Sequence, residues 1–342
     1  MSTTSVPSTM RVWNFASTAG GMEKNLRLQT SYPSPKHDPK QHLIRVLAVS
    51  LNPVDYKPFE IPVVSSLLLR KPVIPGFDMA GIIVSPADGS SLQPGTLVYG
   101  TASTSPIAGG AMAEYMLASP TTIAAVPPTV SPLDAAGAPV AAVTAYQSLA
   151  PFVHQGSRVF INGGSGGVGT YGIQIAKTLG AHVTVSCSGR NADLARSLGA
   201  DEVLDYTAGA LVEQLKKQAP FDHVVDYVFS DPALYWQAHT YTTPTAKFVE
   251  IAGTPSLSFV RFLVTVLALP AFLGGGKRKL VMFGADINQE TLDKVAALMG
   301  EGKVKTVRDE VFKMEDVVEA YKRIKTSRAR GKVLVDVAGE GK

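Results

Sequence analysis

The stretch Arg158-Val-Phe-Ile-Asn-Gly-Gly-Ser-Gly-Gly-Val-Gly-Thr170 decides the fold. Arg158 to Ile161 is a short apolar run of the kind that forms a buried strand. Gly164-Ser165-Gly166-Gly167-Val168-Gly169 then fits the spacing G-x-G-x-x-G, and an apolar helix follows from Thr170 to Leu179, closed by Gly180. Strand, glycine loop and helix in that order are the context that turns a weak motif into a dinucleotide-binding fingerprint. Each glycine has an expected task. Gly164 takes a tight turn at positive φ, Gly166 lets a pyrophosphate approach the backbone, and Gly169 lets the helix press against the strand. The helix N-terminus would present free N–H groups and the positive end of its dipole to the phosphates. A tight βα turn with no ligand is the alternative, and the flanking pattern favours the dinucleotide.

Outward from that loop the same rhythm continues. His182 to Ser186 reads as a strand, Asn191 to Leu198 as a helix closed by Gly199, and Glu202–Leu204, Asp222–Asp226 and Lys247–Ile251 as further strands. Strands alternating with helices mean βαβ units, hence a doubly wound parallel sheet of Rossmann type. The first 128 residues differ. Arg11–Phe15, Leu43–Ser50, Gly81–Ser85 and Leu97–Tyr99 are short β-like runs broken by Gly and Pro, the pattern of a barrel-like all-β module. Pro127-Pro128 marks an expected border, and a helix over Thr291–Met299 with a strand over Lys332–Asp336 returns to the first style. The expected domains are therefore 1–128 with 287–342, and an inserted α/β domain over 129–286.

At 342 residues the chain is long enough for two cored domains, and 45% hydrophobic with 18% charged residues excludes disorder as its main state. A net charge of +4 gives little non-specific pull on nucleic acid or anionic membrane, so no nucleic-acid partner is expected. With Cys187 as the single cysteine, neither an intrachain disulfide nor a Cys-based zinc site can form. The first ten residues lack a basic segment followed by an apolar one, and no arginine precedes Arg11, so a cytoplasmic location is expected.

The end of the second strand bears on the choice of coenzyme. Where an NAD site places a carboxylate on the ribose hydroxyls, this chain reads Ser186-Cys-Ser-Gly-Arg-Asn191. Nothing there repels a 2′-phosphate, while Ser188 and Arg190 can bind one, the guanidinium with paired contacts. The expected coenzyme is NADPH. Arg190 as a solvated turn residue with Asn191 as a helix cap is the other reading.

With these motifs the chain resembles the medium-chain dehydrogenase/reductase superfamily, in its zinc-independent quinone oxidoreductase and enoyl reductase branch. Val49-Ser-Leu-Asn-Pro-Val-Asp-Tyr-Lys57, Pro75-Gly-Phe-Asp-Met-Ala-Gly81, Ala142-Val-Thr-Ala-Tyr-Gln-Ser-Leu149, Leu198-Gly-Ala-Asp-Glu-Val-Leu-Asp-Tyr206 and Arg328-Ala-Arg-Gly-Lys-Val-Leu334 carry the likeness over nearly the whole chain. The resemblance implies a GroES-like β-barrel joined to a Rossmann domain, with substrate in a cleft between them. It also implies roles. Asn52 would line the nicotinamide end, and Tyr56 and Lys57 would bond a substrate oxygen or relay a proton, unless they serve as packing and a solvated ammonium. Thr144 would touch the nicotinamide or phosphate side, Ser165 to Val168 would hold the pyrophosphate, and Ser188, Arg190 and Tyr206 the 2′-phosphate. Ile251, Ala252 and Gly253 would flank the nicotinamide, and Lys332 would reach the coenzyme or close the barrel. Asp55 is as much a structural as a catalytic candidate. Zinc members carry Cys and His where this chain has Asn52-Pro-Val-Asp55 and Phe77-Asp78, so no metal is expected.

Without a Lewis acid, an alkoxide goes unstabilised and alcohol oxidation is poorly supported. Hydride addition to an activated C=C bond needs only hydrogen-bond donors at the carbonyl oxygen. The expected substrates are small apolar enones, quinones or enoyl thioesters. A trans-acting enoyl reductase serving an acyl carrier or polyketide partner, and a non-catalytic NADPH-binding docking protein, are the alternatives. The apolar run Leu257–Leu273, interrupted by Arg261 and Pro270, sits between two expected Rossmann strands and reads as a substrate lid or cleft wall. A dimer surface or a peripheral membrane contact are its other readings. The oligomeric state stays open.

Overall fold

The computed structural model describes residues 6–61, 72–103, 105, 110–251, 257–270, 273, 275–282 and 284–339. Contacts divide the chain into two units, Met1–Val143 with Asp286–Lys342, and Thr144–Ala285. In chain order, the first unit begins with β1 (Thr9–Asn14), β2 (Arg27–Pro33), β3 (His42–Leu51), β4 (Asp78–Ser85), β5 (Leu97–Thr101), β6 (Tyr115–Ala118) and β7 (Ile123–Ala125). Helices α1 (Pro132–Ala136) and α2 (Pro139–Leu149) follow. The second unit contains β8 (Arg158–Asn162), α3 (Gly167–Thr178), β9 (His182–Cys187), α4 (Ala192–Ser197), β10 (Glu202–Asp205) and α5 (Leu211–Leu215). It goes on through β11 (Phe221–Asp226), α6 (Ala233–Trp236), β12 (Thr242–Glu250), α7 (Leu257–Ala268) and β13 (Lys279–Met282). The chain returns to the first unit with α8 (Gln289–Gly300), β14 (Arg308–Lys313), α9 (Val317–Lys325) and β15 (Lys332–Asp336).

In the first unit β3 is the spine. It pairs antiparallel with β4, β6 and β15 and is buried at nearly every position, which explains a continuous apolar run instead of an alternating one. The sheet runs β14-β15-β3-β4-β5-β7, and β1 and β2 form a separate ladder. The C-terminal segment is integral to this core. Met314, Val317, Tyr321 and Ile324 pack with Trp13, Phe15, Val49 and Met79, and the Trp13 indole donates to the Met314 carbonyl at 2.6 Å.

The first border differs from the expected 128/129 and falls inside α2, at Val143/Thr144. Side-chain bonds are the reason. Ser131 caps α1 by accepting the Asp134 N–H at 3.1 Å, Asp134 takes Arg308 Nε at 2.8 Å, and the Val140 N–H donates to Asp78 at 3.1 Å. The Pro127-Pro128 pair is thus a turn within the first unit. The later border, Ala285/Asp286, lies beside the expected 286/287.

The second unit holds a parallel sheet ordered β10-β9-β8-β11-β12-β13 among the described residues, with helices as crossovers. Chain direction across the sheet reverses between β8 and β11, and the carboxyl ends at such a switch point are where open α/β sheets bind ligands. Val159, Phe160, Ile161, Val183 and Val185 are fully buried, as strands covered on both faces require.

Helix α7 bears on the substrate lid or cleft wall expected over Leu257–Leu273. Phe259 and Phe262, read as lining a substrate cleft, are buried at 8% and 4% exposure. Their rings meet Phe229, Tyr235 and Trp236 edge-on, at centroid distances of 4.9 to 5.4 Å. They anchor the helix to its own unit, because burying each ring is worth about 1.5–3 kcal/mol. No helix among the described residues is long and apolar enough to cross a membrane.

Candidate functional site

The loop after β8 is glycine-rich and opens onto a helix start, the geometry a phosphate cradle requires. Positive φ falls on Gly163 (88°), one residue before the expected Gly164. Gly164 is required for a different reason, since a Cβ there would come within 2.8 Å of Val185 Cβ. Gly169 behaves as expected, because its Cβ would lie 2.1 Å from the Gly163 carbonyl oxygen, so only glycine lets α3 start this close to the loop. At Gly166, the N-cap of α3, a Cβ would meet only the Gly163 oxygen, at 3.5 Å. The space over Gly166 is therefore open. Helix α3 starts at Gly167, ahead of the expected Thr170, so its first turn carries N–H groups with no helical carbonyl to receive them.

The rim of this cradle comes from the turn after β9. Ser188 is nearly buried and Arg190 exposed. Asn191 reaches back and donates its Nδ2 to Ser165 Oγ at 3.0 Å, joining the turn to the phosphate loop. Asn191 Oδ1 is buried without a partner, a lone acceptor beside the loop. Tyr206, just past β10, is 48% exposed, and its N–H donates to the Cys187 carbonyl at 3.4 Å. The structure thus gathers Ser165, Ser188, Arg190, Asn191 and Tyr206 at one edge of the sheet. These features fit a dinucleotide: a glycine cradle over a helix start, an orphaned acceptor and a cation on the rim.

One carboxylate there was missed from sequence. A Cβ on Gly189 would lie 2.5 Å from Asp205 Oδ2. Asp205 is engaged by the Thr207 hydroxyl (2.7 Å) and N–H (2.8 Å), which hold its carboxyl below the usual aspartate range. The signal was present in the Leu-Asp-Tyr206 segment, read only for its tyrosine. Burial pushes the Cys187 thiol up, so it is not a poised nucleophile. Thr144 is buried in α2, and the Ile251 N–H donates to the Asp226 carbonyl at 3.2 Å. Ala252 and Gly253 lie outside the described residues.

In the first unit a buried polar cluster forms around Asn52. Its Nδ2 donates to Asp78 Oδ2 at 2.8 Å and its N–H to Asp55 Oδ2 at 2.6 Å, and the Lys332 ammonium donates to its Oδ1. Lys332, 2% exposed, also stands 3.8 Å from Asp78 and 3.4 Å from the Leu51 carbonyl. Burial pushes the Asp55 carboxyl up to about 8, helped by the neighbouring Asp78 charge and only partly offset by the Asn52 amide and Lys332. Asp78 is pushed up to about 6 by burial, with Lys332 and Asn52 opposing, and burial also loosens the proton on Lys332. Asp55 therefore holds its proton more tightly than Asp78, the carboxylate that pairs with Lys332. Asp55 Oδ1 and the hydroxyl of fully buried Tyr321 both lack partners, and the Asp55 charge adds to burial in raising Tyr321.

Tyr56 and Lys57 part company. The Tyr56 ring is buried in the core, with Lys325 Nζ 5.5 Å from its centroid, and burial raises its phenol. Lys325 in turn bridges Glu23 and Glu60 at 2.6 Å each. Lys57 is exposed, and the protein around it lowers its ammonium pKa.

The donor set does not suit zinc. The Asp78 carboxylate is occupied by Asn52, Val140 and Lys332, and no thiolate or imidazole is among its partners. Among the described residues, no three His, Cys, Asp or Glu side chains are grouped to hold a metal ion.

A Rossmann-type parallel sheet and an all-β unit are carried in one chain, the combination found in nicotinamide-dependent oxidoreductases. Residues 38–128 match the family model of the alcohol dehydrogenase GroES-like domain, and residues 198–335 that of zinc-binding dehydrogenase. The chain is 42% identical to a trans-enoyl reductase, pgmF, of Aspergillus terreus, over 97% of each sequence. It is 32% identical to a chloroplastic quinone-oxidoreductase homolog of Spinacia oleracea, over 96% of this chain and 98% of that one. The solved quinone oxidoreductase of Coxiella burnetii superposes with a TM-score of 0.83 at 29% identity, covering 96% of this chain and 99% of its own. The chain belongs to the medium-chain dehydrogenase/reductase superfamily, in its quinone and enoyl reductase branch.

Proposed function

We propose that the protein is an NADPH-dependent, zinc-independent reductase of the C=C bond in α,β-unsaturated carbonyl compounds, with quinones as related acceptors. The observation that carries the coenzyme choice is the rim of the cradle. Ser188 and Arg190 stand at the end of β9, the position where a carboxylate would select NAD. Gly164 to Gly169 would receive the pyrophosphate, and Ser188, Arg190 and Tyr206 the 2′-phosphate. The coenzyme these residues would hold would supply the hydride that reduces the acceptor. The chain must then stabilise the negative charge that develops on the carbonyl oxygen and allow a proton to reach the α-carbon. Of the adjacent Tyr56 and Lys57, Lys57 is the exposed side chain and the one we assign to that donation. Tyr56 keeps its proton more tightly, and Asn52 is fixed by Asp78 and Lys332 to present a set orientation.

The 42% identical relative named as a trans-enoyl reductase favours a narrower reading, in which the acceptor is an enoyl thioester delivered by a carrier partner. Loss of NADPH absorbance across a panel of free enones, quinones and enoyl thioesters separates the two. Turnover of thioesters alone selects the narrower reading, and turnover of no acceptor, with the coenzyme bound, points to the non-catalytic alternative. A cytoplasmic setting accompanies the proposal.

A further inference from the structure

Four polar side chains stand in one row across the carboxyl end of the parallel sheet. The register aligns Ser186 of β9 with Asn162 of β8, Asn162 with Asp226 of β11, and Asp226 with Glu250 of β12. All four are buried. The next positions outward in the row are apolar, Leu204 and Met282. A polar row inside a buried sheet is costly unless it is bonded through.

The bonding has a direction. Asp226 Oδ1 accepts Asn162 Nδ2 at 2.8 Å, Asn162 Oδ1 accepts the Ser186 hydroxyl, and Ser186 Oγ accepts the Gly163 N–H at 3.0 Å. An amide has a donating and an accepting end, and a carboxylate only accepts, so Asp226 fixes which way Asn162 faces. That choice commits the Ser186 proton to Asn162 and leaves its lone pair for Gly163. Gly163 is the positive-φ residue on which the phosphate loop turns, and the neighbouring Gly164 N–H is held by the Ser186 carbonyl at 2.9 Å.

The same Asp226 oxygen has a second office. It accepts the N–H groups of Val228 (2.8 Å) and Phe229 (2.9 Å). Phe229 sits at φ 53°, a left-handed backbone that a bulky residue adopts only when held there. Its ring is clamped between Phe259 and Phe262 of α7. One oxygen therefore ties together the two segments that leave β8 and β11, on either side of the switch point.

We propose that Asp226 is a positioning residue for the coenzyme, setting the Gly163–Gly164 backbone through Asn162 and Ser186, and the turn after β11 through Val228 and Phe229. This rests on the dinucleotide reading of the loop. The test is calorimetric titration of NADPH into wild type, Ser186→Ala, Asn162→Ala, Asp226→Asn and Asp226→Ala, with Leu234→Ala as a control that opens a cavity in the same unit without touching the row. Ser186→Ala and Asn162→Ala should weaken Kd about tenfold, the scale of one buried group left unpaired. Asp226→Asn, which keeps an accepting oxygen, should weaken it less than Asp226→Ala. Leu234→Ala should lower the unfolding temperature and leave Kd unchanged. At saturating NADPH, kcat should stay within about twofold while the coenzyme KM rises. Amide exchange at Gly163 should quicken in Ser186→Ala without any coenzyme present. Row variants with wild-type Kd and wild-type Gly163 exchange would overturn this inference alone. A wild-type protein that binds neither NADPH nor NADH would overturn it together with the coenzyme reading.

Discussion

Gly166→Ala separates a phosphate cradle from an ordinary tight turn. The backbone at Gly166, φ −80° and ψ 175°, is open to alanine, and the added Cβ would touch only the Gly163 oxygen at an ordinary 3.5 Å. Alanine is a poorer N-cap than glycine by roughly 0.5–1 kcal/mol. The stiffer unfolded chain returns about 0.4–1 kcal/mol. The two nearly cancel, so Tm should move by no more than about 3 °C. Binding is another matter. A methyl group over the start of α3 fills the space a pyrophosphate must enter, and pushing one phosphate oxygen off its amide forfeits a charge-assisted bond of about 1.5–3 kcal/mol. That is roughly a 10–100-fold loss in NADPH affinity. Thermal unfolding and calorimetry on one preparation give both numbers. Unchanged affinity would mean that no phosphate approaches Gly166, and a large fall in Tm would mean that the space over it is not open.

Gly169→Ala should in contrast lose stability, because its Cβ would strike backbone 2.1 Å away, and α3 must shift at a cost of about 1–3 kcal/mol in urea unfolding, with NADPH affinity falling as well. Asp55, pushed up to about 8, keeps a proton in the folded state that an unfolded aspartate releases near pH 4, so its share of stability is complete at low pH and drains away as pH rises toward 8. Asp55→Asn should flatten the fall in unfolding free energy between pH 5 and 8, and identical slopes in variant and wild type would refute the buried proton. Phe262→Ala should cost about 3–5 kcal/mol of stability, as for a core ring. Normal stability with a raised KM for long-chain acceptors would instead restore the cleft wall expected from sequence.

Much of the second unit was legible because its physics is local. Fully buried parallel strands read as apolar runs, and the glycine loop announces the helix that follows. What escaped depended on neighbours distant in the chain. Positive φ falls on Gly163, outside the motif, at a residue whose N–H is held by Ser186 of β9, and Gly164 is pinned against Val185 of the same strand. Pro127-Pro128 looked like a border, yet Asp134 bonds Arg308 and keeps α1 in the first unit. Asn52 was singled out by its motif, but its partners Asp78 and Lys332 come from β4 and β15, and no spacing along the chain reveals that pairing. The run Leu257–Leu273 is legible only as apolar, which cannot distinguish a ring facing its own core, as at Phe259 and Phe262, from one facing a ligand.

On the proposed function, a helix start aided by the cation on Arg190 grips a phosphorylated nicotinamide coenzyme. The direct measurement is calorimetric Kd for NADPH and NADH with wild type and Arg190→Ser. Wild type should prefer NADPH, and Arg190→Ser should lose about 10–100-fold toward NADPH while changing little toward NADH. Equal affinity of the wild type for the two coenzymes would contradict it.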